Sequence, residues 1–172
     1  MIDHCLKKCC KFNIDPYFKF GTHIHNLKKG GIILYDQKNN SVVLVMSKNN
    51  LWGFPKGSLQ NTETYTTGAV RELKEETGIV LTSNEIKMLR GPHIIKETNW
   101  YYLLHCPKKN VSIQYTKEND DANGIGWFNL NCIKELCIYN KIKLNYHTRK
   151  LLTKLFNVYI PYSKKKLIKK IL

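Results

Sequence analysis

WGFPKGSLQNTETYTTGAVRELKEETGIV occupies residues 52–80. It carries four carboxylates in a chain whose 28 Lys+Arg outnumber 13 Asp+Glu, and three of the four crowd into RELKEETG at residues 71–78. Ala69, Val70, Leu73 and Thr77 fall on one face at helical spacing. A helix is therefore expected over residues 64–77, stopped by Gly78 in the position that favours left-handed backbone. Glu72, Glu75 and Glu76 are related by i, i+3 and i+4, so all three reach one side of that helix. Like charges at this spacing repel, and the last turn of a helix disfavours anions. Each effect is worth roughly a few tenths of a kcal/mol, and together they ask for a compensating cation.

Two readings of the acidic helix stand. In one it is a solvated face of good helix formers, with Arg71 pairing with Glu75 one turn on. In the other it is a metal cradle. Gly57 opens the preceding loop, Glu63 lies before the helix and Gly78 ends it. Carboxylate oxygens gathered without His or Cys suit a hard cation such as Mg²⁺ or Mn²⁺. A metal held by carboxylates and water is what phosphoryl chemistry uses.

Around this stretch, 172 residues with a hydrophobic share of 42% suit one domain with a good-sized core. A basic, irregular N-terminal extension is expected over residues 1–29, a main domain over residues 30–160 and a basic tail over residues 161–172. GGIILY (30–35) and SVVLVMS (41–47) read as a hairpin around the turn DQKNN. Residues 52–57 read as a rigid loop. Strands are expected at 85–91, 93–97, 99–106 and 124–128, with a polar loop over 115–124. LNCIKEL reads as a short helix, and residues 144–158 as a terminal one. Alternating strands and helices of this kind point to a mixed sheet flanked by helices.

No apolar run approaches the ~20 residues of a membrane span. No apolar core follows the N-terminal charges as it would in a secretory signal, so a cytoplasmic protein is expected. The formal net charge of +15 favours polyanionic partners, RNA and polyphosphates among them, although a solvated Lys-rich surface would give the same balance. Of six cysteines, Cys106, Cys132 and Cys137 sit beside apolar residues and read as core thiols. His4, Cys5, Cys9 and Cys10 are closer together, but no second ligand pair completes a zinc-knuckle spacing. Reduced, unmetallated thiols are the expectation.

Gly57, five residues, Glu63, seven residues, then Arg71-Glu72-Leu73-Lys74-Glu75-Glu76-Thr77-Gly78-Ile79 resembles the Nudix box at every defined position. The resemblance implies an α/β fold, the Nudix α/β/α sandwich with a mixed β-sheet. It also implies hydrolysis of a nucleoside diphosphate linked to another moiety. By similarity, Glu72, Glu75 and Glu76 would hold Mg²⁺ or Mn²⁺ with the main-chain carbonyl of Lys56, and Arg71 and Glu63 would form a structural pair. The catalytic set would be Glu72, Glu76 and Asp121. The general base would be Glu76 or a loop carboxylate, Asp121 first, with Asp120 and Glu118 as alternatives.

The lead-in Trp52-Gly53-Phe54-Pro55-Lys56-Gly57 resembles the catalytic domain of mRNA decapping enzymes, which implies the 5′ cap of RNA as substrate. Trp52, Phe54 and Lys56 would then contact substrate. Trp100, Tyr101 and Tyr102 could offer stacking surfaces, or could simply alternate into a core. The stretch from Lys141 to Lys170, with Lys143, Arg149 and Lys150, would be an RNA track. Two alternatives remain: a hydrolase of dinucleoside polyphosphates or diphosphoinositol polyphosphates, and a Nudix-fold RNA-binding module without catalysis.

Overall fold

The computed structural model describes residues 1–17, 28–114 and 122–161. Its strands are β1 (Ile2–His4), β2 (Lys11–Ile14), β3 (Lys29–Asp36), β4 (Ser41–Ser47), β5 (Leu51–Gly53), β6 (Lys56–Ser58), β7 (Arg90–Ile95), β8 (Asn99–His105), β9 (Gly124–Asn129) and β10 (Lys143–Leu144). Its helices are α1 (Tyr65–Thr77), α2 (Ser83–Lys87), α3 (Leu130–Ile138) and α4 (Tyr146–Phe156). The strands run in the order β1-β2-β9-β4-β3-β8-β7, with β5, β6 and β10 paired off this path. β3 lies parallel to β8 and β5 parallel to β10, while the other pairs are antiparallel, so the sheet is mixed.

Period-two alternation sorts the strand side chains onto two faces. Ile32, Leu34, Val43, Val45 and Tyr102 pack with Ala69 and Leu73 of α1. Ile33, Val42, Leu44 and Tyr101 pack with Ile133 and Leu136 of α3 and with Leu151 and Leu152 of α4. One sheet between two helical layers is the α/β/α sandwich. Among the described residues, no helix is long and apolar enough to cross a membrane.

α1 begins at Thr64, whose side chain accepts the Thr67 N–H, and ends at Gly78 with φ 74°. These are the boundaries that its capping residues dictate. Three expectations are corrected. Residues 1–17 are not an irregular extension: β1 and β2 form a hairpin, and β2 joins the sheet along β9. Residues 83–87 are a helical turn rather than a strand, because Thr82 and Glu85 form a reciprocal capping box. The hexapeptide at 52–57 is not all loop, since β5 pairs with β4 and β6 with β3. The basic tail is described only at Pro161; residues 162–172 lie outside the described residues.

Gly30 on β3 sets how closely α1 approaches the sheet. A Cβ there would stand 2.5 Å from the Tyr65 carbonyl oxygen and 2.9 Å from the Ala69 nitrogen, both backbone atoms of α1. Gly30→Ala should therefore lift α1 from the sheet and destabilise the protein by about 1–3 kcal/mol, as overpacked cores do. A lowered denaturant midpoint at unchanged slope is the expected readout, and an unchanged midpoint would show that the contact is not tight.

Candidate active site

The loop that carries Lys56 and Gly57 is held under α1 by sheet pairing. β6 lies along the start of β3 in the register Gly31↔Lys56, Gly30↔Gly57 and Lys29↔Ser58. A Cβ on Gly57 would fall 2.0 Å from the Glu72 carboxylate, so a side chain at this position would occupy the space that Glu72 fills. Glu72 and Glu76 are only 5% and 6% exposed, which is unusual for carboxylates and marks a supported site. The Lys56 N–H donates to Glu76 Oε2 at 2.7 Å.

Arg71 ties the loop to the helix. Its Nε and Nη2 donate to the two Glu63 oxygens at 2.7 and 3.0 Å. Nη1 donates to Glu72 Oε1 at 2.9 Å and to Glu75 Oε2 at 2.6 Å, and Nη2 also reaches the Ser58 carbonyl at 2.8 Å. The hydrogen bond to Glu63 raises the Arg71 pKa further above its ordinary value, against desolvation, with Glu72 and Glu75 adding to the rise. The same bond holds the Glu63 carboxyl below the usual carboxylate range, opposed by burial and helped by the Gln60 N–H. Four carboxylates thus share one corner with the Arg71 guanidinium.

A basic rim borders that corner. The buried Tyr101 hydroxyl lies 3.1 Å from His147 Nδ1 on α4. Burial, and then the Glu76 charge, push the Tyr101 pKa well above its usual value. Burial lowers His147 to about 4, with Lys56, Lys96 and Lys29 adding their positive charges. Tyr146, 42% exposed, has the Lys96 ammonium 5.4 Å and the Lys150 ammonium 5.6 Å from its ring centroid. Lys29, Lys96, Tyr146 and His147 were not singled out from the sequence. The parallel pairing of β3 with β8 and the packing of α4 bring them together, and no local pattern announces either.

Several expected contacts lie elsewhere. Trp52 and Phe54 are each 1% exposed and belong to the core, where Trp52 meets Phe12 and Phe128 edge to face. They are packing residues and offer no surface to a ligand. Tyr101 and Tyr102 are buried as well. Trp100 stacks on Tyr65 of α1, with centroids 4.2 Å apart and planes 9° from parallel. Arg149 is engaged by main chain, donating to the Leu144 and Pro161 carbonyls at 3.2 and 2.9 Å. Glu118, Asp120 and Asp121 lie outside the described residues.

An α/β/α sandwich with an arginine-bound carboxylate corner between loop and helix defines a class of phosphoanhydride hydrolase. The NUDIX domain family profile matches residues 28–154, and the chain belongs to that family as a Nudix pyrophosphohydrolase. Protein 111R of Invertebrate iridescent virus 3, whose name suggests a hydrolase, is 29% identical over 142 residues, covering 77% of this chain and 79% of that protein. The m7GpppN-mRNA hydrolase dcap-2 of Caenorhabditis elegans is 31% identical over 139 residues, 76% of this chain. The chain spans 17% of the worm enzyme's length. Among solved structures, the bifunctional NMN adenylyltransferase/ADP ribose pyrophosphatase of Francisella tularensis, complexed with AMP and a Mn ion, shares the fold. It aligns with a TM-score of 0.56 at 21% identity, over 80% of this chain and 43% of its own. Nudix hydrolases in general use divalent metals.

Two outcomes test this geometry. In a double-mutant cycle of Arg71→Ala and Glu63→Ala, the losses of stability should be non-additive by on the order of 1 kcal/mol, and strict additivity would mean that the pair is not coupled. The second concerns His147, held at about 4 against an ordinary 6.5. As pH falls, the unfolded chain takes up that proton first, so the stability of the neutral ring is whole above about 6.5 and is lost toward 4. Thermal melts across this window should fall more steeply for the wild type than for His147→Gln; parallel slopes would count against it.

Proposed function

We propose that the protein hydrolyses the phosphate bridge of the 5′ cap on RNA, with Glu72, Glu75, Glu76 and the Lys56 carbonyl holding Mg²⁺ or Mn²⁺. The observation that carries this reading is the buried pair Glu72 and Glu76, set against the loop of Lys56 and Gly57 beside a lysine-lined rim. The donors at this corner are all oxygens, which suits a hard cation. Nη1 of Arg71 bridges Glu72 and Glu75, so those two carboxylates would exchange part of that bond for the cation. A bound divalent cation supplies a Lewis acid for phosphate oxygens and lowers the pKa of water.

The chain's own residues do the rest. The Lys56 N–H fixes the orientation of the Glu76 carboxylate, and Glu76 would take a proton from the attacking water. Asp121, with Asp120 and Glu118 behind it, is the loop alternative. Arg71 and Glu63 keep loop and helix in register. Lys29, Lys56 and Lys96 would meet the phosphates, and the Tyr146 ring would meet a base. The net charge of +15 and the similarity to the dcap-2 hydrolase support RNA over a small polyanion.

The test is a panel of cap-labelled RNA tens of nucleotides long, free cap dinucleotide, diadenosine polyphosphates and diphosphoinositol polyphosphates, each with Mg²⁺ or Mn²⁺. Long capped RNA should turn over fastest. Its advantage should shrink as salt rises, since each phosphate neutralised on a single strand contributes a slope of about −0.7 to log K against log salt. Glu76→Gln should lower turnover by on the order of a hundredfold or more while the melting temperature holds. Faster turnover of the small polyphosphates at low salt would sink the RNA assignment, and unchanged turnover in Glu76→Gln would sink the metal corner.

A further inference from the structure

Far from the carboxylate corner, four sulfurs converge. Cys5, Cys9 and Cys10 lie between β1 and β2, and Cys132 lies in the first turn of α3. Their Sγ atoms all fall within 4.8 Å of one another. Cys9 Sγ is 3.5 Å from that of Cys5, 4.0 Å from that of Cys10 and 3.3 Å from that of Cys132. A regular tetrahedron of thiolates at a Zn–S distance of about 2.3 Å has edges of about 3.8 Å, and the observed separations straddle that value.

Burial pushes the Cys10 and Cys132 thiols up, while at Cys5 burial is outweighed by the hydrogen bonds around the sulfur, which bring it down to about 7. The Cys10 N–H donates to Cys5 Sγ at 3.3 Å, and the Asn129 N–H donates to Cys10 Sγ at 3.2 Å. Cys132 is the third residue after the N-cap Asn129, where the partial positive charge of the helix end stabilises an anion. Lys8 turns the chain back with φ 55°, and its N–H bonds the Cys5 carbonyl at 2.9 Å, which brings Cys9 and Cys10 round beside Cys5. Lys7, Lys8 and Lys11 add positive charge along the same segment. Three of the four cysteines are buried and Cys9 is exposed at the mouth of the cluster, which gives an ion a way in.

We propose that Cys5, Cys9, Cys10 and Cys132 form a tetrathiolate site for zinc that staples the β1–β2 hairpin to α3. Soft sulfur donors select Zn²⁺ over the hard cations that suit glutamates, so the two metal sites do not compete. Four protein ligands close the site, which makes it structural rather than catalytic. Spacing along the chain hid it, because the fourth ligand stands 123 residues beyond Cys9.

Full-length protein, purified reduced and dialysed, should retain one zinc per chain, and a mercurial thiol reagent should release it. Co²⁺ in its place should give the intense visible absorption of a tetrahedral thiolate complex. Cys9→Ser and Cys132→Ser should lose that spectrum, while Cys106→Ser and Glu76→Gln should keep it. Should the cysteine variants fail to fold, the mercurial titration of the wild type decides. Folded, reduced wild type that holds neither zinc nor the cobalt spectrum would overturn the proposal, as would a metal-free chain carrying a Cys9–Cys132 disulfide.

Discussion

The Arg71 guanidinium holds together what would otherwise fly apart. Glu72 and Glu75 stand in the C-terminal half of α1, where both their mutual repulsion and the helix dipole oppose them. Arg71 bridges the two with one nitrogen and clamps Glu63 with the other two. It also takes the Ser58 carbonyl, so the strand that carries Lys56 is fastened to the helix by the same group. Only a planar fork with several donors in fixed directions can do this. A lysine would bring the charge without the geometry.

Gly57 completes that arrangement by leaving space. Because Glu72 occupies the volume where a side chain would grow, its carboxylate is buried yet pressed against main chain. The acidic corner and the lysine rim then sit side by side around β3, with opposite charge on neighbouring surfaces. A polyphosphate has use for both, since lysines draw it in and a cation held by carboxylates engages its oxygens. Neutral His147 and protonated Tyr101 lie beneath this boundary, kept uncharged by burial.

What the sequence disclosed was local. α1 was legible because its cap residues, its apolar period and its stop glycine all lie within the segment. β3, β4 and β8 were legible because β-branched and aromatic runs bounded by turn residues need no distant information. α2 was misread although Thr82 and Glu85 carry its capping signal, since a short apolar run masked the box. Trp52 and Phe54 were misread because a motif fixes residue identity without saying which side chains, on the short β5 or just after it, face the core. The lysine rim and the N-terminal hairpin depend on pairings between distant strands, β3 with β8 and β2 with β9, and single-chain periodicity cannot reveal a partner.

The pairing of β2 with β9 also orders events during synthesis. Lys11 meets Trp127 and Ile14 meets Gly124, so β2 has no template until β9 has left the ribosome. At about 5–20 residues per second, that wait lasts roughly 5–25 s. For that interval Phe12, one of the most buried side chains of the finished core, lacks the Phe128 ring on which it stacks. The β1–β2 hairpin is therefore made well before its place beside β9 exists. A chaperone acting on this protein would find a binding segment in that waiting hairpin.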